Sequence, residues 1–149
     1  MQKSHTLWER AVQFGFRLLY NEMAWSYDLV SWTVSLGEWR RWQEAALSFV
    51  QGERVLEIAH GPGHMLLRLA ANHPTVVGLD LSVAMSQQAK RRLTQANLNL
   101  PLLQASVYHL PFADGYFDSI LSTFPTAFIL EAQTLRELRR VLGENGRLV

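Results

Sequence analysis

The stretch Val55-Leu-Glu-Ile-Ala-His-Gly-Pro-Gly-His-Met65 decides how this chain is read. An apolar run from Val55 to Ala59 ends in a glycine turn and passes straight into a second apolar segment, Met65 to Ala71. That pattern predicts a buried strand, a sharp loop and a helix. Gly61 and Gly63 carry no Cβ, so a ligand can approach the backbone there closely. The helix that follows turns free N–H groups and its positive dipole end toward the same space. A polar or anionic group is expected at this turn.

Around that stretch the composition narrows the possibilities. The chain has 149 residues, 48% hydrophobic and 18% charged, which fits one soluble globular domain with a real core. Its formal charge of +1 comes from 14 basic and 13 acidic residues, so no broad basic field exists to hold nucleic acid. The clusters Lys90-Arg91-Arg92 and Arg139-Arg140 read as solvated helix faces. Without cysteine there are no disulfides, thiolate metal sites or cysteine nucleophiles. No secretory pattern and no apolar run of about 18 residues is visible, which makes the cytoplasm the expected location, with at most peripheral membrane contact.

Residues 1–50 read as a helical N-terminal segment, and all five tryptophans lie in it, at Trp8, Trp25, Trp32, Trp39 and Trp42. Trp25, Trp32 and Trp39 are seven apart, near one face of a helix, although Gly37 is expected to break it. These rings are expected to pack on a sheet; the alternative is a lid over a ligand or a face for a lipid-like substrate. From residue 51 onward short strands and helices alternate. Strands are expected at 55–59, 75–79, 102–105 and 117–123, and helices at 63–72, 82–96 and 131–142. Leu81, Met85, Ala89 and Leu93 face inward from one helix, and Leu135, Leu138 and Leu142 from another. Ser82 caps the former, and Gly143-Glu144-Asn145-Gly146 stops the latter before a fifth strand opens at Arg147.

Alternating strands and helices give an α/β, doubly wound, mainly parallel sheet with helices on both faces. Ligands bind such sheets at the carboxyl ends of the strands, where the strand order reverses. The glycine turn, Asp80, Ser106 and the segment after Thr123 all fall there. A phosphate loop would need Lys and Ser or Thr after the last glycine, but His64 and Met65 follow. A dinucleotide fingerprint would need a third glycine where Leu66 stands, so it is two-thirds complete.

The third reading is S-adenosyl-L-methionine. Residues 55–63 resemble the first motif of the class I, Rossmann-like methyltransferases. Val76-Val-Gly-Leu-Asp-Leu-Ser82, Leu110-Pro-Phe-Ala-Asp-Gly-Tyr-Phe-Asp118 and Leu135-Arg-Glu-Leu-Arg-Arg-Val-Leu142 with Gly146 resemble three further motifs in the same order. Upstream, Tyr20-Asn-Glu-Met-Ala-Trp-Ser-Tyr-Asp-Leu29 and Arg40-Arg41-Trp42 are similar to the start of the ubiquinone/menaquinone biosynthesis C-methyltransferases. The resemblance implies a methyltransferase domain over 51–149 acting on a small-molecule or lipid-like acceptor. It also implies that Glu57 holds the ammonium end of the methyl donor and that Asp80 accepts from the ribose hydroxyls. Leu81 and Val107 would sandwich the adenine, and Ala59, Gly61 and Gly63 would form the loop against the donor. Ser106 stands where many members carry an Asp for the adenine amino group. Ala59 and His60 replace the common glycine and small residue, and nothing in the sequence accounts for His60.

Methyl transfer from a sulfonium needs alignment and dryness more than a catalytic group, so no base is obligatory. His64, His109, Tyr27 and His60 are the candidates. No metal is expected, because His60 and His64 straddle the turn rather than share a helical face. Ser122-Thr-Phe-Pro-Thr126 lacks the acid or amide and the second proline of amine and base N-methyltransferases, while Phe124 and Phe128 favour an apolar or aromatic acceptor. Class I members typically complete seven strands. The sheet is therefore expected to be incomplete at its C-terminal side, as in a fragment or a short form, and a second copy could cover the edge in a homo-oligomer. Ser106 offers one uncharged acceptor in place of a carboxylate, so donor affinity is expected to be modest; calorimetry should return a dissociation constant no tighter than micromolar.

Overall fold

A computed structural model describes residues 38–149. The expectations for Trp8, Trp25, Trp32, Tyr27, Gly37 and the stretch 20–29 lie outside the described residues. Within the expected N-terminal helical segment, α1 (Trp39–Ala45) runs into a short 3-10 turn (Ala46–Phe49). The sheet and its helices then follow as β1 (Arg54–Ile58), α2 (His64–Ala70), β2 (Thr75–Asp80), α3 (Val83–Gln95), β3 (Leu102–Gln104), β4 (Phe117–Leu121), α4 (Ala132–Val141) and β5 (Leu142–Leu148). A second 3-10 turn (Ala127–Leu130) precedes α4. No helix among the described residues is long and apolar enough to cross a membrane.

The five strands are all parallel, in the order β3-β2-β1-β4-β5. The chain winds outward from β1 through β2 to β3, then returns to β1's other side with β4. The reversal point is therefore between β1 and β4. The central strands are buried on both faces, which is why β1 and β2 read as nearly continuous apolar runs rather than alternating ones. Val55 and Val76 point to the α2 and α3 side, packing with Met65, Leu66, Leu69, Ala89 and Leu93. Leu56, Ile58, Val77 and Leu79 point the other way, toward Phe117, Leu138 and Val141.

Four local expectations change. Leu81 is 72% exposed: α3 opens only at Val83, after Ser82 in extended backbone, so helical spacing does not reach back to Leu81. Met85, Ala89 and Leu93 are buried as expected. On α4 the inward stripe is Thr134, Leu138 and Val141, and Leu135, one position off it, is exposed. The fifth strand opens at Leu142 rather than Arg147, because the chain becomes extended immediately at Leu142 (φ −76°, ψ 134°). Phe117 pairs with Leu142 and Ser119 with Arg147, so residues 143–146 stand opposite Asp118 alone as a bulge.

Arg140 is the fourth correction. It is not a solvated side chain but a staple between α4 and the 110–115 loop. Its guanidinium donates to the carbonyls of Leu110 and Phe112 and to Asp114 and Glu137, each at 2.8 Å. Glu137 in turn accepts the Leu110 N–H at 2.8 Å, and its pKa is held down to about 2 by Arg140 first and that N–H second. At the amino ends of the strands Asp118 does a parallel job. Its carboxylate accepts the backbone N–H groups of Glu53 and Arg54 and pairs with the Arg54 guanidinium at 2.8 Å, locking the start of β1 to β4.

These contacts lower the pKa of Asp118 from an ordinary 3.8 to about 2, through Arg54's side chain first and its backbone N–H next. A carboxylate depressed in the folded state stabilises fully above its unfolded pKa and loses that contribution as pH falls through the folded value. The wild-type protein should therefore lose stability between about pH 5 and pH 2. Asp118→Asn should already be weaker at pH 7, by about 1–3 kcal/mol for the lost charge-assisted bonds. It should also show a flatter acid limb in urea unfolding measured across that range.

Candidate functional site

The candidate site is the rim at the carboxyl ends of β1, β2 and β4. Asp80, the last residue of β2, shapes it. Its Oδ2 accepts the Gly61 N–H and its Oδ1 accepts the Ser82 N–H, both at 2.8 Å. One carboxylate thus fixes the loop after β1 to the cap of α3. Ser82 then caps α3 by accepting the Met85 N–H. Asp80 is 8% exposed and uses one acceptor position on each oxygen, so a further donor can still be accepted on each.

The two glycines of the turn have different tasks. Gly61 lies at φ +55° with none of the described residues within 4 Å of where a Cβ would stand, so the turn is open on their side. Gly63 lies at φ +83°, and a Cβ there would come within 2.7 Å of the Ala89 Cβ on α3. The first glycine leaves room for a ligand and the second for a helix. Arg92 of α3 donates to the Pro62 carbonyl and holds the turn from the same direction. Ala59 enters the turn at φ +53°, left-handed backbone that favours glycine, which is the residue common in the first motif.

Beneath the turn sits a buried polar floor. Glu57 is 1% exposed, and its Oε2 has no hydrogen-bond partner among the described residues. Burial, and secondarily the Asp80 carboxylate, push its pKa well above the usual range. His60, the residue unaccounted for by the sequence, turns inward and is 4% exposed. Its Nδ1 lies 2.8 Å from the Gly61 carbonyl, and its ring rests where a side chain on Gly78 of β2 would be. Leu66 fills the same gap: a Cβ on Gly78 would lie 3.1 Å from its Cδ1. The close helix–strand packing that a dinucleotide fingerprint obtains from a third glycine is therefore obtained here from a glycine in the neighbouring strand. Nothing local in the sequence marks Gly78 for this; the register Glu57↔Gly78 does.

The remaining predicted residues fall around this floor. Leu81 projects from the rim. Ser106 and Val107, after β3, are half-buried in a turn in which Ser106 Oγ accepts the Tyr108 N–H. His64 opens α2, half-buried, whereas His109 is exposed beside Gln133. Past β4, Ser122 donates to the Ile58 carbonyl and Thr123 accepts from Gln43 of α1, which brings this segment against β1. Phe124 follows at φ +53°, 44% exposed, its ring 6.4 Å from that of Trp42. Phe128 packs against the core instead.

Comparison with known proteins agrees with this geometry. Residues 55–146 match the family described as a methyltransferase domain. The chain is 38% identical over 139 residues to the ubiquinone/menaquinone biosynthesis C-methyltransferase of Syntrophotalea carbinolica, covering 89% of this chain and 59% of that protein. It is 34% identical over 137 residues to the demethylmenaquinone methyltransferase of Thermus thermophilus, covering 88% and 62%. The chain thus spans about three-fifths of the length of these relatives. In fold it resembles an S-adenosylmethionine-dependent methyltransferase from Aquifex aeolicus, with TM-score 0.63 and 24% identity over 71% of this chain and 61% of that one.

The contrast between the two glycines is measurable. Gly61→Ala should cost about 1–2 kcal/mol, the left-handed backbone penalty alone. Gly63→Ala should cost more, because the overlap with Ala89 adds to the same penalty; thermal denaturation of both variants gives the order.

Proposed function

Because this chain belongs to the class I methyltransferases, whose methyl donor is S-adenosylmethionine, we propose that it methylates a ring carbon of a small, apolar quinone-type acceptor. The observation that carries the donor half is the buried Glu57 carboxyl, whose Oε2 has no partner among the described residues, under a glycine turn open on their side and beside Asp80. A buried carboxyl oxygen without a hydrogen bond is costly unless a ligand cation completes it. The donor's amino-acid end supplies an ammonium. Its ribose supplies two hydroxyls for the spare acceptor positions of Asp80. Leu81, exposed on the rim, and Val107 offer apolar faces to the adenine, and Ser106 offers it one acceptor. The fit is of close backbone approach and carboxylates, suited to a ligand without phosphate.

The bound donor supplies an electrophilic methyl group on a sulfonium. The protein's part is to align an acceptor carbon in line with it, at about 3 Å, and to keep water away. A hydroxyl-bearing ring becomes nucleophilic at carbon when the hydroxyl is deprotonated. His64 and His109 are the described residues available for that role. Trp42 and Phe124, beside the end of β1, give an aromatic ring an apolar surface on which to settle. The acceptor reading is supported by the names of the relatives and by this apolar rim. A lipid-tailed acceptor would bring the protein to a membrane surface at most peripherally.

Transfer of a radiolabelled methyl group from the donor to a demethylmenaquinone-type ring, followed by extraction into organic solvent, tests the acceptor half; label that stays in the aqueous phase would overturn it. For the donor half, Glu57→Gln should weaken donor binding roughly ten- to hundredfold, the worth of about 1.5–3 kcal/mol for a charged hydrogen bond. The same substitution should stabilise the donor-free protein at neutral pH. Burial raises the folded pKa of Glu57 well above the ordinary 4.5, so above that value the unfolded chain binds fewer protons, and stability falls as pH rises from there toward the folded value. Glutamine has no such loss. Calorimetry and thermal denaturation at pH 7 read the two opposed effects.

A further inference from the structure

The run Gly143-Glu144-Asn145-Gly146, which reads in the sequence as a helix stop, carries a chemistry that methyl transfer does not use. Among the asparagines of the chain, Asn21, Asn72, Asn97, Asn99 and Asn145, the last alone is followed by glycine. The others precede Glu22, His73, Leu98 and Leu100. Asparagine is one of the thermolabile residues, and a following residue without a side chain leaves bare the amide nitrogen that can attack it. Asn145 and Glu144 are exposed, on the bulge that stands opposite Asp118.

The fold itself requires this glycine. A Cβ at Gly146 would lie 2.8 Å from the Leu142 Cδ2 and 3.1 Å from both the nitrogen and the oxygen of Gly143. Two of those three atoms are backbone, so no side chain fits there to shield the Gly146 nitrogen. Asn145 is held through its main-chain carbonyl, which accepts the Gln51 side-chain amide at 2.9 Å in an exposed contact. The charged groups nearby are Glu144 and Arg147 in the chain and Asp118 across the ladder, the last already paired with Arg54.

We propose that Asn145-Gly146 is a site of spontaneous deamidation in the folded protein, and that its conversion loosens the pairing of β5 with β4. Hydroxide removes the proton of the Gly146 N–H, and that nitrogen attacks Cγ of Asn145. The N–Cγ bond forms, the Cγ–Nδ2 bond breaks, and the amide leaves as ammonia after taking a proton from water. Water then opens the resulting five-membered succinimide at one of its two carbonyls. Opening at the side-chain carbonyl gives an aspartyl residue with the main chain unchanged. Opening at the main-chain carbonyl gives an isoaspartyl residue, whose main chain runs through Cβ and Cγ and is one methylene longer. Nothing is oxidised or reduced: an amide and a water become a carboxylate and an ammonium ion.

Both products add a negative charge beside Glu144 and Asp118. The isoaspartyl form also turns the carbonyl that Gln51 holds into a carboxylate. It lengthens the segment between two fixed pairs, Phe117 with Leu142 and Ser119 with Arg147. Gln51 is tied to the same ladder through Ser119, whose hydroxyl accepts the Gln51 N–H at 2.9 Å and donates to its carbonyl at 2.8 Å. A shift in the bulge is thereby carried to Ser119, which is fully buried on β4.

Incubation of the full chain at mildly alkaline pH, followed by peptide mapping in a mass spectrometer, tests the site without reference to any ligand. Asn145 should gain the mass of an amide-to-acid exchange in the folded chain as well as in urea, partly as the isoaspartyl isomer. The rate should rise about tenfold for each pH unit, because only the deprotonated nitrogen attacks. Asn72, Asn97 and Asn99 should stay intact over the same period. The incubated wild type should melt lower than the fresh protein, whereas Asn145→Ser, which keeps the carbonyl used by Gln51, should not change on incubation. An Asn145 that survives in the folded chain while the same chain in urea converts would overturn the site. Conversion that leaves the melting temperature of the wild type unchanged would overturn its effect on the edge.

Discussion

One carboxylate determines how the carboxyl ends of the central strands are organised. Asp80 accepts one N–H from the loop after β1 and one from the cap of α3, and these are charge-assisted bonds of the stronger kind. The left-handed glycines of the turn have no regular backbone ladder of their own to hold them, so this strap sets where the loop lies. The same negative charge acts downward on Glu57, adding to the burial that raises its pKa, and on His60, where it opposes the burial that lowers the ring's pKa. Geometry above the sheet and protonation below it are set by one side chain.

The two ends of the sheet have divided labour. At the amino ends polar groups are satisfied: Asp118 takes two N–H groups and a guanidinium. At the edge of the same layer Arg140 closes the 110–115 loop onto α4. At the carboxyl ends the accounts are left open. Glu57 and His60 each hold a buried atom without a partner among the described residues, and Ala59 and Phe124 sit in left-handed backbone. Unmet bonds and strained angles persist where surrounding structure over-determines them, and they gather at functional sites. The well-satisfied end supplies the stability that the other end spends.

What could be read from the residues in order is what is local. A strand, a glycine turn and a helix are adjacent in the chain, so the turn after β1 was legible, as were the parallel pairing and the place of Asp80. What escaped depends on neighbours far away in sequence. His60 makes sense only beside Gly78, a relation created by strand register. Arg140 looks like one of two surface arginines until the 110–115 loop is folded over it. Leu81 and Leu135 were misplaced because helical spacing was carried two residues past the true helix start, or along the wrong stripe. The early opening of β5 was hidden by a glycine-rich run that reads as a stop and folds as a bulge. Helix dipole arguments, strong at first sight of the turn, matter little under the proposed reading, in which carboxylates hold the ligand.

The position of β4 in the sheet also has a kinetic meaning. Val55 pairs with Val76, 21 residues along, on one side and with Ser119, 64 residues along, on the other. Closing the longer loop costs about 1 kcal/mol more in chain entropy, and non-local pairings of this kind form slowly. The β1–β2 unit, with the glycine turn and Asp80 already on it, is the contact of lower order and the natural one to form early. The wall carrying Thr123 and Phe124 arrives with β4. In the order of assembly, the glycine turn and its strap precede the aromatic rim.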